Sequence, residues 1–303
     1  MNKLLIAIVG PTAIGKTALS IKLAKHFNAE IFSADSRQFF KEMKIGTAVP
    51  EEDELNAAKH HFIQHISIEE TYNVGLFEKE CIQALDAYFV QKDVAILVGG
   101  SGLYVDAIIN GLDKFPDVDP QIRENLIEDL ETKGIEFLQK ELLEKDSEHY
   151  NSIDLSNKQR LIRALEICRS TDKPYSSFLA KNKTKRAFKT LKIGLNAERE
   201  VIYNRINQRV DLMIENGLIE EAKALNPLKD LNALNTVGYK ELFNYFDNQY
   251  DLNTAIEEIK KNTRRFAKRQ LTWYRRDDSV IWFDYLTPIE EIIKTIKEKT
   301  PLE

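Results

Sequence analysis

The sequence predicts an α/β fold: a mainly parallel, P-loop NTPase-like sheet flanked by helices, with an all-helical insertion. Three observations carry this expectation. Short apolar, β-branched runs alternate with long helical patterns, the alternation that builds parallel sheets covered on both faces. A glycine-rich turn of the form GxxxxGK[ST] joins the first such run to the first helical pattern. One long interval in mid-chain has helical character and no convincing core strand.

Taken in order, Lys3–Val9 reads as the first buried strand and Lys16–His26 as the helix after the turn. Ala29–Ala34 and Val94–Val98 are further strands, with a helix over Val74–Val90 between them. These make residues 1–113 the first part of the core. The insertion is placed at 114–190: it opens with Pro116, Asp119 and Pro120 and is charged and helical thereafter. Lys181-Asn-Lys-Thr-Lys-Arg186 reads as a solvated link returning to the sheet. Strands at Leu191–Leu195 and Val280–Phe283, with helices over Glu198–Glu215 and Asn253–Arg275, make 191–303 the second part of the core.

Composition narrows the function classes. Lys and Arg number 43 against 48 Asp and Glu, a net charge of −5, which excludes a globally basic, histone-like protein but not a local basic patch. Cys81 and Cys168 are too few for a disulfide framework, suit a reducing cytoplasm, and are read as core residues. The longest apolar runs, Leu4–Val9 and Val94–Val98, fall well short of the roughly 18 residues that span a bilayer. No cleavable signal pattern precedes the first strand, so a soluble cytoplasmic enzyme is expected.

Gly10-Pro-Thr-Ala-Ile-Gly-Lys-Thr17 follows a strand and opens a helix, the context in which this motif binds phosphate. Its glycines let backbone N–H groups turn inward around an anion, and the helix N-terminus adds positive potential. Lys16 supplies a point charge, and the Thr17 hydroxyl is a ligand for Mg²⁺. An ordinary glycine-containing turn is the bland alternative. Many phosphate-loop NTPases hold Mg²⁺ with an acidic residue at the end of a second buried strand. Here Val94–Val98 ends in Gly99-Gly100-Ser101, with no carboxylate. That omission argues against a motor or switch ATPase and leaves kinases and other transferases of phosphorylated donors.

Asp35 ends the second strand, and ligands of parallel sheets sit outside such ends. A carboxylate there can take a proton from an attacking nucleophile, or it can simply cap a following helix. Ser101 has the same two readings at the end of Val94–Val98: contact with a reacting centre, or a helix cap.

Ile259–Arg276 holds eight basic residues and no acidic one. Lys260, Arg264 and Lys268 form one helical row and Lys261, Arg265 and Arg269 the next, giving one broad positive face. Ile259, Phe266 and Trp273 are expected to pack this helix onto the core. Solvated faces normally mix signs, so this run points to a polyanionic partner. A second cluster, Asn157–Arg163, begins a helix of the insertion with Arg160 and Arg163 on one face. Arg199, Arg205 and Arg209 follow the Leu191–Leu195 strand and suit a phosphate clamp, or else pair with Glu198, Glu200 and Asp211. His60, His61 and His65 have no companion cysteine and make a poor zinc set.

Gly10–Thr17, Asp35-Ser-Arg-Gln38, Ile45-Gly-Thr-Ala48, His60-His61, Leu97–Tyr104, Arg160–Glu166, Val237–Glu241 and Lys268–Trp273 run in an order that resembles the tRNA dimethylallyltransferases, also called tRNA isopentenyltransferases. The chain shows no carboxy-terminal zinc-finger pattern of the kind some eukaryotic members carry, so the resemblance is to the bacterial form. That family transfers a prenyl group from dimethylallyl diphosphate to the exocyclic amine (N6) of the adenosine 3′ to the anticodon, in tRNAs reading U-starting codons. The resemblance implies that Gly10, Pro11, Thr12, Ala13, Ile14, Gly15, Lys16 and Thr17, with Arg209, hold a diphosphate leaving group rather than ATP, with Mg²⁺ on Thr17. It implies Asp35 as the general base, with Lys16 and Ser101 as further catalytic residues. Ser101 stands where many members have Thr, so the hydroxyl is kept. It implies contacts to a tRNA anticodon stem-loop at Asp35, Ser36, Arg37, Gln38, Ser101, Arg123, Gln159, Arg160, Leu161, Ile162, Arg163, Lys240, Lys268 and Arg269. A monomer is expected.

Three other readings share parts of this pattern. A small-molecule kinase would use ATP at the same loop but leaves the 259–276 charge run unexplained. An adenylate isopentenyltransferase shares the chemistry but needs no insertion to grip RNA. A non-catalytic RNA-binding module is opposed by the intact phosphate loop.

Overall fold

The structure, a computed structural model, describes residues 3–179 and 184–300. Its elements run β1 (Leu4–Val9), α1 (Lys16–Phe27), β2 (Ile31–Ser33), α2 (Glu52–Ala57), β3 (His60–His61), α3 (Val74–Phe89), β4 (Val94–Val98) and α4 (Gly102–Asn110). Then follow α5 (Pro120–Lys133), α6 (Ile135–Lys145), α7 (Ser147–Tyr150) and α8 (Lys158–Thr171). The chain finishes with β5 (Lys189–Asn196), α9 (Arg199–Glu215), α10 (Leu218–Leu225), α11 (Tyr239–Phe246), α12 (Leu252–Tyr274), β6 (Val280–Asp284) and α13 (Ile289–Lys299). Two compact units result: residues 1–110 with 185–303, and residues 111–184.

The first unit is built on a six-stranded sheet of order β3-β2-β4-β1-β5-β6, parallel throughout. β1 lies between β4 and β5, and all six of its residues are buried. Successive side chains of a strand point to opposite faces. Leu4, Ile6 and Ile8 therefore join a core with Leu19 of α1, Ile202 and Ile206 of α9, and Ile296 of α13. Leu5, Ala7 and Val9 join the other core, with Phe77 of α3, Ile108 of α4 and Ile259 of α12. A strand covered on both faces has no polar alternation, which is why β1 and β4 are legible as plain apolar runs.

The structure departs from the expected elements in three places. β5 begins at Lys189, because Lys189 and Thr190 pair opposite Leu4 and Leu5. The expected insertion boundary at 190 thus falls inside the sheet, and the second unit ends at 184. β3 is an edge strand of two residues, too short to show a period, with His60 and His61 beside Ile31 and Phe32. His61 stacks on Phe32 at 4.4 Å and meets Glu30 at 2.6 Å. Finally, of the expected solvated link, residues 181–183 lie outside the described residues. Arg186 is anchored instead, donating to the carbonyls of Ala107 and Ile108 and to Glu78.

The second unit packs α5, α6 and α8 around Leu126, Leu138, Leu142, Leu161 and Leu165. Asp119 caps α5, with Pro120 at its first position, and Asn157 caps α8 by accepting from the Arg160 N–H. Among the described residues no helix is long and apolar enough to cross a membrane.

Candidate active site

The carboxyl ends of β1, β2 and β4 deliver the phosphate loop, Asp35 and Gly99-Gly100-Ser101 to one edge of the sheet. Gly10 has φ +139°, and a Cβ there would stand 2.5 Å from the Leu195 carbonyl oxygen. The tight approach of β1 to β5 thus demands glycine at this turn.

Four side chains pin the loop. Lys16 Nζ donates to the Pro11 carbonyl at 2.8 Å, and Arg205 Nε donates to that of Ala13 at 2.7 Å. Arg209 donates to the Thr12 hydroxyl. The Thr12 N–H donates to Gln270 Oε1 at 2.8 Å. Burial, with Arg209 nearby, pulls the Lys16 pKa down to about 7, while Asp35 pulls the other way. Burial likewise lowers Arg209 to about 10, opposed by Asp35 and aided by Arg205. Two cations crowded together at such a cost to their charged forms make a site that favours an anion.

Two cavities meet here. One, of about 240 Å³, is lined by the loop with Asp35, Gln38, Arg205 and Arg209. The other, of about 420 Å³, has apolar walls from Val210, Met213, Leu218, Ile259 and Phe266, with Ser101, Lys240 and Arg269 also lining it. Thr12, Asp35, Thr47 and Arg209 belong to both walls. Asp35 therefore stands between a cationic cradle and a largely apolar chamber.

The bland alternatives for Asp35 and Ser101 are not what the side chains do. Asp35 Oδ1 accepts from the N–H groups of Arg37 and Gln38 at 2.9 and 3.4 Å, closing a turn. The next helix starts only at Glu52. Ser101 precedes α4, yet its hydroxyl reaches across to Ser36, donating to Oγ at 3.1 Å and accepting from N–H at 3.3 Å. It joins two strand ends.

The neighbouring motif residues build the walls. Arg37 donates to the carbonyl of Asn232 at 2.9 Å, and Gln38 Nε2 donates to that of Ala48 at 2.8 Å. The Glu221 carboxylate accepts from the N–H groups of Lys44, Ile45 and Gly46 and from the Tyr239 hydroxyl. A Cβ at Gly46 would lie 2.6 Å from the Tyr239 ring, so Ile45-Gly-Thr-Ala48 is shaped by that ring.

Other expected residues are placed elsewhere. Arg199 lies over the Tyr203 ring at 5.0 Å and is not part of the clamp. Lys268 lines a different cavity from Arg269, together with Arg199 and Arg275. The positive face of α12 is also narrower than eight like charges suggest. Lys260 pairs with Asp211 and Glu257, Lys261 with Glu258, and Arg264 bonds Asn207. The buried row of α12 is Ala255, Ile259, Ala267, Gln270 and Tyr274. Phe266 is only partly buried and Trp273 is 38 % exposed, because 3.6-residue helical geometry rotates a strict seven-residue spacing off the buried stripe.

In the helical unit, Gln159, Arg160 and Arg163 are exposed, and the buried Glu166 accepts from both Arg123 and Arg163. Leu161 and Ile162 are 0 % and 1 % exposed, held in that unit's core. Their side chains face that core and not the surface, unlike those of Gln159, Arg160 and Arg163.

Gln270 and Glu221 escaped the sequence reading. Gln270 had a signal, a polar residue on the buried row of an amphipathic helix. Glu221 had none, since one carboxylate in a helix of mixed charge marks nothing.

The IPP transferase family model matches residues 38–277. This chain belongs to that family. Among its IPP transferase relatives, the tRNA dimethylallyltransferase of Christiangramia forsetii is 63 % identical over 299 residues, covering 99 % of both chains. That of Flavobacterium psychrophilum is 57 % identical, covering 97 % of this chain and 98 % of the relative. The full-length tRNA isopentenylpyrophosphate transferase of Bacillus halodurans matches with a TM-score of 0.73 and 37 % identity, covering 99 % of this chain and 97 % of its own. A eukaryotic dimethylallyltransferase solved acting on tRNA matches with a TM-score of 0.79 and 26 % identity, covering 98 % of this chain and 77 % of its own. The family match begins after the phosphate loop, whereas these relatives span it.

Proposed function

We propose that this chain transfers the dimethylallyl group of dimethylallyl diphosphate to the N6 amine of the adenosine 3′ to the anticodon, in tRNAs reading U-starting codons, and releases diphosphate. The observation that carries this reading is Asp35 in the wall shared by the cationic cavity and the apolar one. The diphosphate occupies the cradle of Lys16, Arg205, Arg209 and the loop N–H groups. The prenyl tail and the adenine, splayed out of its stack, share the chamber beyond.

The amine nitrogen forms a bond to the allylic carbon as the bond from that carbon to the diphosphate oxygen breaks. The electron pair of the broken bond leaves with the diphosphate, and the amine proton passes to Asp35. An adenine amine is a poor nucleophile, so both ends of the reaction need help. Asp35 relieves the positive charge growing on nitrogen. Lys16 and Arg209 oppose the negative charge growing on the leaving group from fixed positions. Ser101, bonded to Ser36 next to Asp35, holds the carboxylate's turn in place and lines the acceptor chamber.

Among the described residues no group of three or more His, Cys, Asp or Glu could hold a metal alone. Thr17 lies in the cradle wall, a donor set that fits a Mg²⁺ carried mainly by diphosphate oxygens. Bound there, Mg²⁺ would supply further charge for the leaving group.

The exposed Gln159, Arg160 and Arg163 of the helical unit, and Lys240, Lys268 and Arg269 of the sheet unit, are assigned to the RNA backbone. The enzyme acts as a monomer in the cytoplasm. Incubation with dimethylallyl diphosphate, ATP and unmodified tRNA, followed by mass analysis of digested nucleosides, tests this. The expected result is adenosine heavier by one five-carbon prenyl unit. Phosphate transfer from ATP to a small acceptor, with unmodified tRNA throughout, would overturn it.

A further inference from the structure

Gln270 connects the phosphate loop to the helix that carries the exposed cations. It is 5 % exposed, on a row of α12 otherwise filled by apolar and aromatic side chains. Its Oε1 accepts from the Thr12 N–H, and its Nε2 donates to the Gly100 carbonyl at 3.0 Å. The sequence around it is cut to fit. A Cβ at Gly100 would stand 2.2 Å from Gln270 Nε2, and one at Gly102 would stand 2.4 Å from the Trp273 ring. Gly100 in the turn after β4 and Gly102 at the start of α4 thus admit side chains of α12. One turn further on, the Trp273 indole N–H donates to Asp106 at 2.9 Å, a second tie between α12 and α4.

The bond to Thr12 has a cost. A phosphate-loop N–H is given to a protein acceptor and is no longer free for a ligand. What that provides is a fixed start for the loop: Thr12 is held by α12 through its N–H and by α9 through its hydroxyl. Lys268 and Arg269, directly before Gln270, are exposed.

We propose that Gln270 is a positioning residue that couples RNA engagement by α12 to the shape of the diphosphate cradle. RNA phosphates on Lys268 and Arg269 restrain the helix at this point. Gln270 passes the restraint to Thr12, so the donor meets a loop already set. This rests on the tRNA reading above. Coupling between sites is reciprocal, and its usual size is about 5- to 150-fold in affinity.

The test measures binding of inorganic diphosphate to the full chain with and without a saturating, unmodified anticodon stem-loop, and binding of the stem-loop with and without saturating diphosphate. In the natural protein each is expected to tighten the other by the same factor, within that range. Gln270→Leu removes both bonds, and the factor should fall to about one. Gln270→Glu keeps an acceptor for the Thr12 N–H but loses the donor to Gly100, and is expected to retain part of the coupling. It also serves if the leucine variant fails to fold by thermal melting. Two outcomes overturn the inference while leaving the tRNA reading intact: the stem-loop binds but leaves diphosphate affinity unchanged, or the full factor survives in the folded variants. A stem-loop that does not bind the natural protein at all overturns both.

Discussion

Two helices of the sheet unit carry cations, and they carry them in opposite ways. On α9, Arg205 and Arg209 turn onto the backbone and hydroxyl of the phosphate loop. On and just after α12, Arg265, Lys268, Arg269, Arg275 and Arg276 stand exposed, while Lys260 and Lys261 are already neutralised by carboxylates. The denser run of charge in the sequence is therefore the looser one in space. A charge count finds a surface that attracts a polyanion. Only packing shows which cations are held against the phosphate loop.

The largest expected effect lies at the junction of the two regions. Asp35→Asn keeps the side chain's size and can still close the turn, but it cannot take the proton. Turnover should fall by about 10²- to 10⁴-fold, with tRNA binding largely unchanged. Single-turnover kinetics with saturating tRNA check this, and near-normal turnover would remove Asp35 from the role of base.

Next in size is Arg209→Gln. Losing one preorganised donor to a developing anion costs about 10²- to 10³-fold in kcat. The same change at Arg269 on α12 should instead weaken tRNA binding and spare kcat. If the two variants behaved alike, the distinction between gripped and exposed cations would fail.

Salt sharpens the comparison further. Five exposed cations each neutralising one phosphate give a slope of roughly −4.5 in log affinity against log salt, or about 500-fold between 50 and 200 mM. Changing Arg265, Lys268, Arg269, Arg275 and Arg276 to Gln should flatten the slope of tRNA binding by about that amount. Changing Lys260 and Lys261 to Gln should leave it unaltered, since their charges are already satisfied within the protein.

The same contrast explains what the sequence made legible. β1 and β4 were readable because burial on both faces leaves an unbroken apolar run, and the phosphate loop because strand, glycines and helix must follow in that order. Asp35 and Ser101 were readable as strand-end residues, but their partners were not, since a bond between Ser36 and Ser101 joins positions 65 residues apart. The insertion boundary slipped because Lys189 and Thr190 are polar residues in a strand, recruited by pairing with β1. Leu161 and Ile162 share the motif with the arginines around them, but their side chains are buried. Helical periodicity puts Arg160 and Arg163 outside and those two inside, a signal present in the sequence but overridden by the motif.

The smallest effect separates the two regions by pH. Lys16, pulled to about 7 by burial and Arg209, is half-protonated near neutrality when the cradle is empty. The diphosphate favours the ammonium form, so donor binding takes up a proton whenever Lys16 starts neutral. Below pH 7 it starts charged and the donor KM should be flat. Above pH 7 the KM should rise by up to about tenfold per pH unit, until the raised pKa of the bound state is reached. The exposed cations of α12 stay charged throughout this range, so the tRNA KM should not follow. Lys16→Arg keeps its charge at every accessible pH and should abolish the bend, whatever it does to the absolute rate. A donor KM that stays flat to pH 9 would mean that the loop lysine is fully charged in the empty cradle.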